Sequence, residues 1–401
     1  MVGRTRSKRG RGNDGRHSVS DFDLSLTKLR EVMELFRTRI LEGLAQDGQE
    51  IAALPTYMSL PSGRQHGRAL VIDTGGTNMR AALVEIAPGD GAILSGPFSD
   101  KVPDGRQGEA LSSEEFFSAQ AALSRQIEEL KPELPLGYCF SYPAQSSPDG
   151  DAVLLRWTKG LRIQGVVGHK VGQALRESLK QEGFSTSGVK VLNDTVASLV
   201  GGAHLYAKPE YGTNYIGLIL GTGTNMAGVF GRPHFSKVEC TQPMVVNLES
   251  GNFNCPHLTA LDDKLDAQSE NPGAQRFEKA VSGHYLPQLF DLAQPGHNLG
   301  TDSSRLVSLR DSDSSEAGRT AAALLRRSAR LTAAGLAAVA SLYPSERHTA
   351  VLGEGGLLWG DSHFAPTVEK TLLELLPDHR VELVHQRENV NLLGAASAAL
   401  G

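Results

Sequence analysis

Residues 73–79 read DTGGTNM and residues 220–226 read LGTGTNM, and each stretch lies between two short apolar runs. The first is flanked by ALVID (69–73) and AALVEI (81–86), the second by apolar runs at 215–220 and 227–230. An apolar run of that length stopped by glycines reads as a buried strand, so each copy is a strand–turn–strand unit. The same tetrapeptide in the same context twice implies a duplicated domain with a ligand held between two similar halves.

Helical patterns fill the intervals. Leu26, Leu29, Met33, Phe36, Ile40 and Leu44 recur at helical spacing and predict an amphipathic helix ending near Asp47-Gly48. Helices are also expected over 114–131, 168–183, 195–207, 271–292, 316–342 and 390–400, with strands at 136–142, 189–192 and 350–352. Residues 301–316, rich in Ser and Asp, read as an exposed loop. Alternating strands and helices make the class α/β.

The chain has 401 residues, 40% of them hydrophobic, which favours two domains over one core. Its net charge of -5 is unevenly placed. Residues 1–17 hold six Arg/Lys against one Asp, which leaves roughly -10 on the remainder. An acidic body is a poor nucleic-acid binder, and the basic arm (1–18) reads as a disordered, solubilising tail. Cys139, Cys240 and Cys255 are far apart and form no metal or disulfide pattern. No apolar run approaches the length of a membrane span, and no apolar segment follows the basic residues as in a signal peptide. A cytoplasmic protein is expected, without nucleic-acid or membrane partners; monomer and homodimer both stay open.

Two places carry chemistry. In LVIDTGGTNMR, Asp73 ends a buried strand and the following glycines leave backbone N–H groups open to a phosphate. Asp73 suits Mg²⁺ held through water, Thr77 adds a hydroxyl and Arg80 a positive charge. GTGTNMA (221–227) matches a dinucleotide fingerprint, but a strand follows where that motif needs a helix, so a second phosphate loop fits better. In VLNDTVASLVGGA, Asp194 stands between a strand and a helix. There it can serve a helix cap, or it can be a base for an attacking hydroxyl.

Taken together, these segments resemble the hexokinase/glucokinase family of the actin-like ATPase (ribonuclease H-like) fold, two domains with an intervening cleft. LVIDTGGTNMRAALV resembles that family's first phosphate loop, and LGTGTNMAG its second. LGYCFSYPAQ followed by WTKGL (157–161) resembles its sugar signature, and VLNDTVASL the segment bearing its catalytic aspartate. VVNLESGNF (245–253) and RFEKAVSGHYL (276–286) resemble the segments supplying sugar-binding glutamates, and RRSARLTAAGLAAV (326–339) a nucleotide-side helix. The matches occur in family order from about residue 24 onward.

The resemblance implies an ATP-dependent, Mg²⁺-requiring kinase for the 6-hydroxyl of glucose or a related hexose. It implies Asp194 as the base and Lys159 as a charge facing the transferred phosphoryl. Ser141, Thr158, Lys159, Asn193, Asp194, Asn225, Glu249 and Glu278 are implied as sugar contacts. Asp73, Gly75, Gly76, Thr77, Asn78, Arg80, Thr222, Gly223, Gly355 and Gly356 are implied around the nucleotide, with Mg²⁺ near Asp73 and Asp194. The implied small domain spans 66–195 with helix 390–401, and the large one 19–65 and 196–389. One position departs: VLGEGGLLWG carries Glu354 where the family usually has Asp, which leaves the base preference open. Rival readings are a non-catalytic sugar sensor, disfavoured by Asp73, Lys159 and Asp194 all being present, and a nicotinamide-dependent dehydrogenase.

Overall fold

The computed structural model describes residues 19–105, 110–128, 130–158 and 160–401. The basic arm and Lys159 lie outside them. Helix α1 (Leu26–Ala45) is capped by Ser25, whose side chain accepts from the Lys28 N–H. It buries Leu29, Val32, Met33, Phe36, Ile40 and Leu44, the stripe its spacing predicts. After the short strand β1 (Leu54–Pro55) come β2 (Gly67–Thr74), β3 (Asn78–Ala87) and β4 (Asp90–Lys101). Helix α2 (Ser113–Leu123), β5 (Leu134–Phe140), α3 (Val171–Gln181), β6 (Thr186–Leu192) and α4 (Asp194–Leu205) complete the first half.

The second half repeats the plan. Strands β7 (Tyr215–Leu220), β8 (Thr224–Phe230) and β9 (Met244–Asn247) lead into a helical region that includes α5 (Arg276–Val281) and α6 (Glu316–Ala340). Strands β10 (Thr349–Glu354) and β11 (Val381–His385) and helix α7 (Val390–Ala399) close the chain. The first sheet runs β6-β5-β2-β3-β4, and the second runs β11-β10-β7-β8-β9 with β1 added at its edge. In both, the first three strands of the unit pair antiparallel and the last two join parallel. The duplication read from two short repeats therefore extends to whole sheets.

The two closing helices exchange partners. Helix α4 follows the first sheet but packs on β7, β8 and β10, while α7 follows the second sheet and packs on β2, β3, β5 and β6. They cross each other between the sheets, within one apolar layer that joins Val71 and Val84 to Val196, Leu199, Val229, Leu352 and Leu392. The crossing is close because Gly201 and Gly394 sit at it. A Cβ on Gly201 would lie 2.3 Å from the Val390 carbonyl oxygen, and one on Gly394 1.8 Å from that of Ala197.

Two expectations need correction, and one strand lies outside them. Residues 301–316 are not a loop throughout: Ser303–Ser312 form a helix, capped by Asp302 and anchored by buried Leu306. The single helix expected over 271–292 is split into α5 and Leu286–Ala293, because Gly283 and His284 leave the helix to pair with the second glycine turn. Strand β4 escapes the apolar-run criterion because its residues alternate between half-buried and exposed.

Candidate active site

The two glycine turns share a sequence but not a geometry. In the first, the innermost pair is Thr74 with Met79, and the Gly75 N–H donates to the Asn78 carbonyl at 3.0 Å. In the second, the innermost pair is Leu220 with Thr224, and the Gly221 N–H donates to the Gly223 carbonyl at 3.0 Å. The repeated threonines and asparagines consequently differ. Thr77 is exposed in its turn, and Asn78 accepts from Lys101 Nζ at 2.9 Å. Thr224 is buried and donates to the Ile219 carbonyl, while Asn225 joins a polar network.

That network begins at α4. Asn193 is the N-cap, its side chain accepting from the Thr195 N–H at 2.9 Å. Asp194 is therefore the first helical residue, where the positive end of the helix dipole favours a carboxylate. Its hydrogen bonds from the Thr195 N–H (2.7 Å) and hydroxyl (3.3 Å) both fall on Oδ1. Asn225 Nδ2 donates to Asn193 Oδ1 at 3.4 Å and to Asn247 Oδ1 at 2.8 Å. Asn247 Nδ2 donates to Glu249 Oε1 at 2.8 Å. Asn225 Oδ1 accepts from the N–H groups of Met226 and Ser250. Glu249 sits in the left-handed region at φ 55°, a strained setting for a residue with a side chain. Asn193, Asp194, Asn225 and Glu249 are thus brought together, and Glu278 joins them by accepting from the Thr224 N–H at 2.9 Å.

Ser141 lies at the end of β5, its N–H bonded to the Thr74 carbonyl at 3.1 Å. Thr158 is half-buried beside Trp157, whose indole N–H donates to the Ile163 carbonyl at 2.9 Å. Trp157 packs edge-on against Phe116, Phe140 and Tyr142, which fixes the segment carrying Thr158. A narrow cavity between the halves is lined by Tyr142, Ser146, Asn193 and Asn247 among others.

On the phosphate side, Asp73 is buried and held by Arg80. Arg80 Nε and Nη2 both reach Asp73 Oδ2, at 2.9 and 2.5 Å, and Asn391 Nδ2 reaches the same oxygen at 3.3 Å. Arg80 Nη1 donates to Asn389 Oδ1 at 2.7 Å, which ties the first turn to the start of α7. Burial works against the Arg80 charge, yet adjacent Asp73 outweighs it and holds the guanidinium above its ordinary value. Glu354 ends β10 facing the same region. Burial pushes its carboxyl up, Ser198 offsets part of that, and the nearby charge of Asp194 adds to it. Its Oε1 is buried without a hydrogen-bond partner among the described residues. Gly355 follows at φ 124°, and a Cβ there would lie 2.0 Å from the Leu220 carbonyl oxygen. Gly355 and Gly356 thereby lie against the second glycine turn.

Asn247 and Asn391 escaped sequence reasoning. The available signal was an amide at the end of an apolar run (VVN) and a pair of amides opening an otherwise small-residue helix (NVN). Among the described residues no group of three or more His, Cys, Asp or Glu could hold a metal, and no helix is long and apolar enough to cross a membrane.

Two sheets of one plan, each with a glycine turn at the cleft and exchanging their closing helices, define an actin-like ATPase fold. The chain belongs to the hexokinase family: hexokinase family models match residues 16–204, then 215–294 and 300–401. It is 34% identical to the hexokinase of Kluyveromyces lactis over 291 residues, covering 68% of this chain and 58% of that protein. It is 35% identical to hexokinase-2 of Schizosaccharomyces pombe over 293 residues, covering 68% and 62%. The chain thus spans about three-fifths of the length of these curated relatives. The structure of the Schistosoma mansoni hexokinase complexed with glucose superimposes with a TM-score of 0.79, covering 95% of this chain and 97% of that one at 25% identity. A ROK family glucokinase from Streptomyces griseus, in complex with glucose and AMPPNP, shares the fold at a TM-score of 0.52, covering 82% and 98% at 22% identity.

Proposed function

We propose that this chain transfers the γ-phosphoryl of MgATP to the 6-hydroxyl of glucose or a related hexose, giving hexose 6-phosphate and MgADP. The observation that supports it most is the meeting of amides and carboxylates beside the second glycine turn at the start of α4, where Asp194 is the first helical residue. A hexose presents hydroxyls that both donate and accept, and Asn193, Asn225, Glu249 and Glu278 match such groups in kind. Ser141, Thr158 and Lys159 complete the proposed sugar set. A site paired to those hydroxyls rejects analogues that lack them.

In this reading Asp194 takes the proton of the 6-hydroxyl as its oxygen attacks the γ-phosphorus. The bond to the β–γ bridging oxygen breaks, ADP departs, and Asp194 returns its proton to solvent. Lys159 offsets charge on the transferred group. The backbone at Gly75, Gly76, Thr77, Asn78, Thr222 and Gly223 cradles the phosphates, with Gly355 and Gly356 beside the second turn. Arg80 acts on them chiefly through Asp73, to which its guanidinium is committed. The residues suit Mg²⁺: Asp73 and Asp194 offer hard oxygens, and the Arg80 and Asn391 bonds all fall on one Asp73 oxygen. When bound, the ion would neutralise phosphate charge. We assign 66–195 with helix 390–401 to a small domain and 19–65 with 196–389 to a large one, closing over the sugar to exclude water. Three free thiols fit a reducing, cytoplasmic setting.

A coupled assay for ADP release over a panel of glucose, mannose, fructose and glucosamine tests the proposal. Sugar-dependent ADP is expected; none with any hexose would refute it.

A further inference from the structure

The segment bearing Glu278 is hydrogen-bonded to the second glycine turn at three points. Glu278 Oε2 accepts from the Thr224 N–H at 2.9 Å. The Gly283 N–H donates to the Gly221 carbonyl at 2.7 Å, and the His284 N–H to the Thr222 carbonyl at 3.2 Å. A planar trans peptide points its N–H opposite to its C=O. With the carbonyls of Gly221 and Thr222 turned onto residues 283–284, the N–H groups of Thr222 and Gly223 are turned the other way. The strap thus sets the direction of the turn's donors. The fit at Glu278 is tight, since a Cβ on Gly223 would lie 2.6 Å from its Oε2.

The strap is itself anchored. Asp266 Oδ1 accepts from Lys279 Nζ at 2.7 Å, and its Oδ2 accepts from the Gly273 N–H at 2.9 Å and lies 3.2 Å from Arg276 Nη1. Both cations flanking Glu278 in sequence are therefore held by Asp266. The Glu278 carboxylate bonds instead to the Thr224 N–H and, through Oε1, to Gln275 Nε2 at 3.1 Å.

We propose that Glu278 is a positioning residue for the second phosphate turn as well as a sugar contact, so that sugar and nucleotide binding are coupled through its carboxylate. This rests on the kinase reading above. A sugar hydroxyl donating to Glu278 fixes the carboxylate against the Thr224 N–H and stiffens the turn that receives the phosphates. The nucleotide, by ordering the turn, in return holds Glu278 ready for sugar. Such coupling is reciprocal by necessity. Glu249 reaches the network from the other side, accepting from Asn247 Nδ2 at 2.8 Å.

The test is equilibrium binding of glucose to the full chain, with and without saturating MgADP, which needs no turnover. The wild-type protein is expected to bind glucose about 10-fold more tightly with MgADP present, within the usual range of such coupling. Glu278→Gln is expected to bring that ratio close to 1. Glu249→Gln should weaken glucose binding yet keep the ratio. Glu278→Asp, which keeps the charge but withdraws it from the Thr224 N–H by one methylene, should also lower the ratio and serves if Glu278→Gln fails to fold. A wild-type ratio near 1, or an unchanged ratio in Glu278→Gln or Glu278→Asp, overturns the proposal. Failure of the kinase reading would show separately, as no sugar-dependent ADP from the wild-type protein.

Discussion

Gly201 and Gly394 meet where α4 and α7 cross, each leaving space that the other helix's backbone fills. These helices carry Asp194 and the Asn391 that touches Asp73, so the crossing sets the spacing between the two halves of the site. A methyl on Gly394 would fall 1.8 Å from the Ala197 carbonyl oxygen, and backbone cannot yield as a side chain can. Gly394→Ala is expected to destabilise the protein by about 3 kcal/mol, at the upper end for overpacking. Denaturant unfolding measures it; a loss below about 1 kcal/mol would show that the helices part easily.

Arg80 forks onto a single oxygen of Asp73 while reaching Asn389, an arrangement a lysine cannot reproduce. Arg80→Lys is expected to raise the KM for MgATP about 10-fold and leave glucose binding unchanged. Initial-rate measurements varying each substrate separately check it. An equal effect on both substrates would mean the pair supports the whole cleft rather than the phosphate side.

Much of this was legible in sequence, for reasons that differ by region. The repeated Gly-Thr-Asn-Met turns revealed the duplication because glycine turns need particular residues. Asp194 was open between cap and base on local grounds, and the structure gives the cap to Asn193. What could not be read was register. Thr77 and Thr224 occupy the same place in the repeat, yet one is exposed in a turn and the other is buried in a strand. Asn391 was equally hidden, since its partner Asp73 is 318 positions away and no local pattern marks such a pair. Helix Ser303–Ser312 was missed because its polar residues masked one buried leucine.

Glu354 supplies a pH dependence. Its folded value is raised by burial and by Asp194, so the folded protein keeps a proton that the unfolded chain has released. Its stabilising share is full below the ordinary glutamate range, near pH 4.3, and is lost as pH rises through the folded value. Glu354→Gln keeps the shape without the titration. The variant is expected to match the wild type in mild acid and to gain in Tm relative to it as pH rises. Parallel Tm profiles would contradict this.

The central claim is that Asp194 is the base of a sugar kinase. The most direct measurement is sugar-dependent ADP release by Asp194→Ala beside the wild type, with glucose binding followed in both by calorimetry. Turnover is expected to fall by several decades, beyond the roughly 10²–10⁴-fold typical of a general base alone if positioning is lost too. Glucose should still bind. Wild-type turnover in Asp194→Ala would contradict the account.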